Sequence, residues 1–342
     1  MKIGPLDLDR RVLIVAEIGN NHEGDAARAA RMIRLAAEAG ADAVKLQTFR
    51  AEDYVSPADP ERLARLKRFE LSPEAFRELA REAGRVGVPF FSTPFDLASL
   101  DLVAEISCAI KIASGDLVFY PLIEKAARTG KPMILSTGLA ELPLVRRTVS
   151  LVETTWGEMG HRGDLAVLHC VVAYPTPADQ ANLGAIAALR REFPACTVGY
   201  SDHTAGIEAA PLAVALGARI IEKHFTLDKN FSSFRDHQLS ADPPEMAELV
   251  KAVRRAEALL GDGIKTPRPC EIGNLALVRR SIALNRYLTA GEMLRREHLT
   301  WTRPAGGFAP GREAEVLGRR LKRALAKGAQ LHAEDLEDGR QA

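Results

Sequence analysis

Residues 1–261 predict an α/β fold, a (β/α)8 TIM barrel, and residues 281–342 predict a small β-rich domain after a linker at 262–280. Three observations carry the barrel. Eight short apolar runs recur, each followed by a segment with apolar residues at helical spacing, often closed by a glycine. The cycle takes about 260 residues, the usual length of such a barrel. Nearly every run also ends in a polar side chain, as expected where strand ends share one mouth.

The first strand, residues 12–18 (VLIVAEI), is almost unbroken in its apolar character, so both faces must be covered, as in a parallel sheet. It delivers Glu17. A loop, GNNHEGD, leads to a helix over 26–39 stopped by Gly40. The second strand, 42–46, carries Lys45 and runs into Gln47. A helix over 73–84 precedes the third strand, 89–93 (PFFST), which ends at Thr93 and the turn 94–96. After a helix from Leu97, the fourth strand, 109–114 (AIKIAS), carries Lys111 and Ser114. A helix over 123–129, stopped by Gly130, leads to the fifth, 132–137 (PMILST), with Ser136. A helix over 142–153 leads to the sixth, 165–170 (LAVLHC), with His169, and another follows at 183–192. The stretch 197–237 then reads strand, loop, Ala-rich helix, strand. It supplies the last two strands, with Ser201 and His203 on one and Glu222 and His224 on the other. A helix over 244–260 closes the cycle.

A doubly wound open sheet is the competing architecture, but no GxGxxG follows the first strand. One polar residue at a strand end carries little information. Lysines inside apolar runs, together with hydroxyls, carboxylates and imidazoles at the same end of most strands, point to a catalytic mouth that binds anions. His203 and His224 are candidate metal ligands, since parallel strands bring their exits together.

Lys plus Arg is 46 against 45 for Asp plus Glu, so no net field draws the chain to nucleic acid or an anionic membrane. The four cysteines form no CxxC pair and are read as reduced thiols of a cytoplasmic protein. No run approaches the roughly 18 apolar residues of a membrane helix, and the N-terminus lacks a signal-peptide core.

From 261 to 274 (GDGIKTPRPCEIGN) the composition turns to Gly, Pro and charge, which marks a linker. Beyond it lie the strand candidates SIALN, TWTR and KRALA with similar turns, LTAGEM and AKGAQL. A β domain of about 60 residues is marginally stable alone and is expected to dock on something. The glycine-bearing loop RPAGGFAP begins with Arg303.

The motifs AEIGNNHEGD (16–25), KLQTF (45–49), FSTPFD (91–96), KIASGD (111–116), ILSTG (134–138), LHC with YPTP (168–177), GYSDHT (199–204) and EKHFTLD (222–228) resemble the sialic acid synthases. The C-terminal region resembles their antifreeze-like (SAF) domain. The resemblance implies condensation of phosphoenolpyruvate (PEP) with an N-acylated mannose-type sugar, giving a nine-carbon 2-keto acid and phosphate. It implies a divalent ion on His203 and His224, manganese first, with magnesium or cobalt as alternatives. It places Lys45, Lys111, Ser114, Ser136 and Ser201 on PEP, Glu17 at a proton transfer or a positioned water, and Tyr174 and Asp236 on the sugar. Glu222 joins the substrate-binding set from its strand end. Arg303 matches an arginine that one subunit inserts into its partner's barrel, which implies a domain-swapped homodimer. Val171 and Val172 depart from the family's usual Thr and Asn or Ser, removing a hydrogen bond to PEP.

The default acceptor is N-acetylmannosamine. The alternatives are a diacetamido-trideoxyhexose leading to legionaminic or pseudaminic acid, and the 6-phosphate of N-acetylmannosamine. A phosphosugar calls for a further cationic cluster, which the sequence does not place, so the free sugar is expected. A Schiff-base aldolase acting through Lys45 or Lys111 is a second enzyme reading. A carbohydrate-binding or ice-binding module is the non-enzymatic one.

Overall fold

A computed structural model describes residues 1–338, so residues 339–342 of the expected C-terminal domain lie outside the described residues. The chain divides into two compact units, Met1–Gly261 and Asp262–Ala342.

The first unit is a closed barrel of eight parallel strands in sequential order. They are β1 (Leu13–Gly19), β2 (Ala43–Thr48), β3 (Phe90–Pro94), β4 (Ile110–Ile112), β5 (Met133–Ser136), β6 (Leu165–Cys170), β7 (Thr197–Asp202) and β8 (Ile220–His224). The principal helices are α1 (Ala26–Glu38), α2 (Pro60–Phe69), α3 (Pro73–Arg85), α4 (Leu97–Ile106), α5 (Tyr120–Ala127), α6 (Leu142–Glu158), α7 (Ala185–Glu192), α8 (Ala209–Ala215) and α9 (Pro243–Leu260). Asp25, Asp59, Ser72, Asp96 and Asp242 cap their helices by accepting a backbone N–H in the first turn. The helix α2 lies in a stretch to which the sequence analysis assigns no element. Its start follows a plain rule, Asp59 as cap and Pro60 in the first turn.

Successive strand residues point to opposite faces. Ile14, Ala16, Val44, Leu46, Ile112, Leu135 and Ile221 face outward and pack under the helices. Leu13, Val15, Ala43, Phe91, Ala109, Ile134, Ala166, Leu168 and Ile220 fill the interior. Ile3, in an N-terminal hairpin (Lys2–Ile3 with Leu6–Asp7), and Leu8, just after it, are fully buried in the same interior cluster and close its lower end. Gly199 must be small there, since a Cβ would come within 2.5 Å of Leu168 Cδ2 and 2.7 Å of Ile220 Cβ.

In the second unit, β9 (Ser281–Leu284) pairs antiparallel with β10 (Leu299–Thr302) over a core that includes Ile282, Leu284, Leu288, Val316 and Leu331. KRALA forms no regular strand: Leu321 and Leu325 make isolated bridges to Leu336 and Leu288. Residues 262–280 contain two short helices, Pro269–Ile272 and Leu275–Val278. Among the described residues no helix is long and apolar enough to cross a membrane.

Candidate active site

The interior phase that carries the barrel core also builds the site. Two residues beyond an interior apolar side chain comes another interior position, and there the sequence turns polar. Val15 is followed by Glu17, Ala43 by Lys45, Phe91 by Thr93, Ala109 by Lys111, Ile134 by Ser136, Leu168 by Cys170, Gly199 by Ser201, and Ile220 by Glu222 and then His224. The register sets Glu17 beside Lys45 and His224, and Glu222 beside Ser201. All of them line one cavity of about 1040 Å³, with Ser114, Tyr174, His203 and Asp236 in its upper wall.

At its floor two lysines and two carboxylates interlock. Lys45 Nζ lies 2.8 Å from Glu17 Oε2 and 3.8 Å from Glu222 Oε2, and donates to Thr93 Oγ1 at 3.2 Å. Lys111 Nζ donates to Glu222 Oε1 at 3.3 Å, and Ser201 Oγ donates to the same oxygen at 2.9 Å. Gln47 Nε2 donates to Glu17 Oε1 at 3.1 Å. Burial raises both carboxylates, and their neighbours drive them apart. Glu17 is raised above its ordinary value, since burial and Glu222 outweigh Lys45. Burial would raise Glu222 as well, but Lys111 and Lys45 overcome it and bring it to about 2. Burial lowers Lys111, whereas Lys45 is held above its usual range because Glu17 and Glu222 outweigh burial. Opposed shifts of this kind separate a group able to carry a proton from one that stays ionised.

Above the floor, the rings of His203 and His224 stand 5.4 Å apart, with Tyr174 4.2 Å from His203. Nδ1 of His203 is 2.7 Å from the Val171 carbonyl, which fixes the proton there and leaves Nε2 as a lone-pair donor. His224 is pushed well below its ordinary value by burial and by His203, and its Nδ1 is buried without a hydrogen-bond partner. Burial would lower His203, but Cys170, 3.8 Å from its Nδ1, together with the Val171 carbonyl and Glu222, outweighs it and raises the group. These two imidazoles fit a divalent ion. Among the described residues no third His, Cys, Asp or Glu joins them in a metal cluster, so further coordination would fall to substrate and water oxygens.

Ser136 Oγ, Asp116 Oδ2 and Asn20 Oδ1 also line the cavity as buried acceptors or donors without partners, the pattern of a site built for a polar ligand. Ser114 Oγ accepts from Gly138 N at 3.0 Å. Arg235 lies over the Tyr174 ring at 4.7 Å, and its Nε is 3.6 Å from Asp236 Oδ1. Val172 lines the cavity at 37% exposure and offers no side-chain hydrogen bond. His169 is not part of the cavity lining: one residue out of phase, it stacks on Tyr200 and contacts the Ala181 carbonyl at 2.9 Å. Arg303 belongs to the second unit, exposed just after β10. Sequence reasoning missed Asp116, Asn20 and the cavity-lining arginines of α2, Arg62, Arg65 and Arg68. The interior phase would have found Cys170.

Comparison with known proteins agrees with this geometry. Residues 32–265 match the NeuB family and residues 279–337 match the SAF domain. The N,N'-diacetyllegionaminic acid synthase of Legionella pneumophila is 39% identical over 98% of this chain and 97% of its own. The human N-acetylneuraminate-9-phosphate synthase is 34% identical over 84% and 82%. The sialic acid synthetase of Leptospira borgpetersenii, solved with citrate, superposes with a TM-score of 0.73 at 37% identity, covering 77% of this chain and 90% of that one. A TIM-type barrel with polar strand ends, a matching SAF domain and these full-length relatives lead to one conclusion: the chain is an enzyme of the NeuB family, that of the sialic acid synthases.

Proposed function

We propose that the enzyme joins carbon 3 of PEP to the aldehyde carbon of an N-acylated mannose-type sugar. Water adds at carbon 2 of PEP and phosphate leaves by C–O cleavage, so one PEP, one aldehyde and one water become one 2-keto acid and one hydrogen phosphate, with no net gain or loss of protons. The observation that carries this reading is the Lys45–Glu17 and Lys111–Glu222 lattice beside His203 and His224.

The two ammonium groups form the anion site, and Ser136, Ser201 and Ser114 stand by as hydrogen-bond donors to carboxylate and phosphate oxygens. Glu222 stays ionised and holds Lys111 and Ser201 in place. Glu17, raised by burial, is the group suited to hand a proton to the sugar oxygen or to take one from the attacking water. Tyr174 and Asp236 line the same cavity and are assigned to the sugar, as the family resemblance implies. A divalent ion on His203 and His224, manganese first and magnesium or cobalt otherwise, would supply Lewis-acid polarisation of a carbonyl. A Schiff-base route is disfavoured at Lys45, which its two carboxylates keep charged. Arg303 is assigned to the mouth of a second subunit's barrel in a domain-swapped homodimer, as the family resemblance implies.

The test is phosphate release from PEP in the presence of Mn²⁺ with a panel of acceptors: N-acetylmannosamine, its 6-phosphate and the two diacetamido-trideoxyhexoses. Release with one acceptor, stopped by EDTA, is expected. Release with none of them would overturn the reading.

A further inference from the structure

We propose that Glu23 is a positioning residue: from the β1–α1 loop it clasps the connection between β8 and α9, and so sets Asp236 at the acceptor end of the cavity. The inference rests on the reading above, which assigns Asp236 to the sugar, and deepens it.

The connection spans residues 225–242 and contains no regular element beyond a short helical turn, Asp236–Leu239. Its stretch DKNFSSF is rich in turn-forming polar residues and has no periodic apolar face to bury. A long segment of this kind is ordered by what its neighbours offer it. Order matters here, because Ser232, Ser233, Phe234, Arg235 and Asp236 all line the cavity.

Three ties from the β1–α1 side supply that order. Asn21 Nδ2 donates to the Phe225 carbonyl at 2.9 Å and to Ser240 Oγ at 3.0 Å, which holds the two ends together. Arg28 lies over the Phe231 ring, 4.3 Å from its centroid. Glu23 makes the third tie, since its Oε1 accepts from Ser232 Oγ and, at 3.3 Å, from His237 Nε2. Ser232 and His237 flank residues 233–236, so a single carboxylate oxygen staples both sides of the arc that bears Asp236. Within the arc Phe234 packs edge-on against Phe69, 5.2 Å between ring centroids, beside the cluster of Phe49, Ala51, Val55 and Leu66.

The backbone of Glu23 is left-handed, φ 46°, a conformation that a side chain disfavours and that a fold keeps where something is gained by it. Gly24, at φ 81°, follows it, and a Cβ there would collide with the Arg68 carbonyl. The turn is thus wedged against the end of α2 at the cavity rim, and both side-chain donors to Glu23 lie on the other loop. Burial, with Arg28 adding to it, outweighs Glu23 and lowers His237, so the clasp holds a neutral ring and needs an oxygen acceptor rather than a charge. Lys45, Lys111 and Ser136, by contrast, stand on barrel strands and owe nothing to this connection. Loosening the clasp therefore falls on the acceptor and spares PEP.

The experiment measures initial rates of the full-length protein with Mn²⁺, PEP and the four acceptors named above, in Glu23→Ala, Glu23→Gln, His237→Leu and the double variant Glu23→Ala/His237→Leu. Glu23→Ala is expected to raise the KM of the acceptor about tenfold and to leave that of PEP within about twofold. Glu23→Gln, which keeps an oxygen for both donors, should recover most of the loss. His237 is 1% exposed and lies outside the cavity lining, yet His237→Leu should give the same split, and the double variant should be no worse than the more affected single one. Equal rises in both KM values, or a fall in kcat alone, overturn the proposal. Additive effects of the two substitutions overturn it as well, since they would put Glu23 on the substrate itself. If no acceptor turns over in wild type, the condensation reading fails, and hydrogen exchange of residues 228–240 without substrates decides the clasp. Exchange about tenfold faster in Glu23→Ala sustains it, and unchanged exchange overturns it.

Discussion

Lys223 Nζ lies 3.1 Å from Asp202 Oδ2, and both side chains are essentially sealed from solvent, each one residue before a candidate metal ligand. Asp202 Oδ1 also accepts from Thr204 N at 2.8 Å, Thr204 Oγ1 at 2.7 Å and Tyr200 Oη at 3.2 Å. The pair ties β7 to β8 on the face away from the cavity and thereby sets where His203 and His224 emerge.

Removing one partner of such a pair leaves a buried, uncompensated charge. Lys223→Met is expected to cost about 3–5 kcal/mol in denaturant unfolding. Adding Asp202→Asn should recover part of that loss, because it removes the orphaned charge while its Oδ1 can still accept from Thr204. Equal stability of Lys223→Met and wild type would show the pair to be dispensable.

His203→Ala and His224→Ala are expected to abolish Mn²⁺ binding in calorimetry and turnover with it, with an unchanged far-ultraviolet dichroism spectrum. His224 Nδ1 has no hydrogen-bond partner to lose, and His203 gives up its ring hydrogen bond to the Val171 carbonyl, while the β7–β8 and β8–β1 ladders remain. Retained Mn²⁺ affinity in both variants would move the metal elsewhere.

The stability of the fold is expected to fall as pH drops from 6.5 toward 4. Burial, with Arg28 adding to it, lowers His22 from 6.5 to about 4. Between those values the unfolded chain binds a proton that the folded chain refuses, so acid favours unfolding. The stability is complete above 6.5 and its loss approaches about 3 kcal/mol at the lower limit. His22→Gln should flatten this part of the pH profile of urea unfolding. An unchanged slope would mean that other groups set it.

Truncation after Gly261 leaves α9 and the barrel core whole but removes Arg303. It should keep a cooperative melt while lowering kcat by about 10² or more, as loss of a transition-state charge contact does. Arg303→Ala should reproduce the kinetic part in a chain that keeps its C-terminal unit. Full activity of both would remove Arg303 from the mechanism.

The barrel was legible because its signal is periodic twice over. Strand alternation such as Leu13, Val15, Glu17 marks the interior, and helical spacing with glycine stops marks the cover. The polar floor follows from the same alternation, which is why Lys45, Lys111 and Glu222 could be picked from sequence. The alternation also explains an error: His169 is adjacent to Cys170 in sequence but opposite to it in phase, so it faces the helices. The partners of the floor residues were not legible, since Lys111 and Glu222 are 111 positions apart and meet only through closure of the barrel. The rim was missed for a different reason. The helix α2 is an insertion between β2 and α3, outside the strand-helix rhythm, and its Leu66 and Phe69 read as core only once the aromatic cluster beneath them is known.

Ile3 and Leu8 make the barrel a vessel with a stopper. With its lower end filled, ligands enter and leave by the upper opening, and they stack. On the proposed function, a molecule resting on Lys111 and Ser136 is expected to arrive before one that sits higher and to leave after it. That expected order follows from the plugging of the opposite end by Ile3 and Leu8, and would hold even if the lower ligand bound the more weakly of the two.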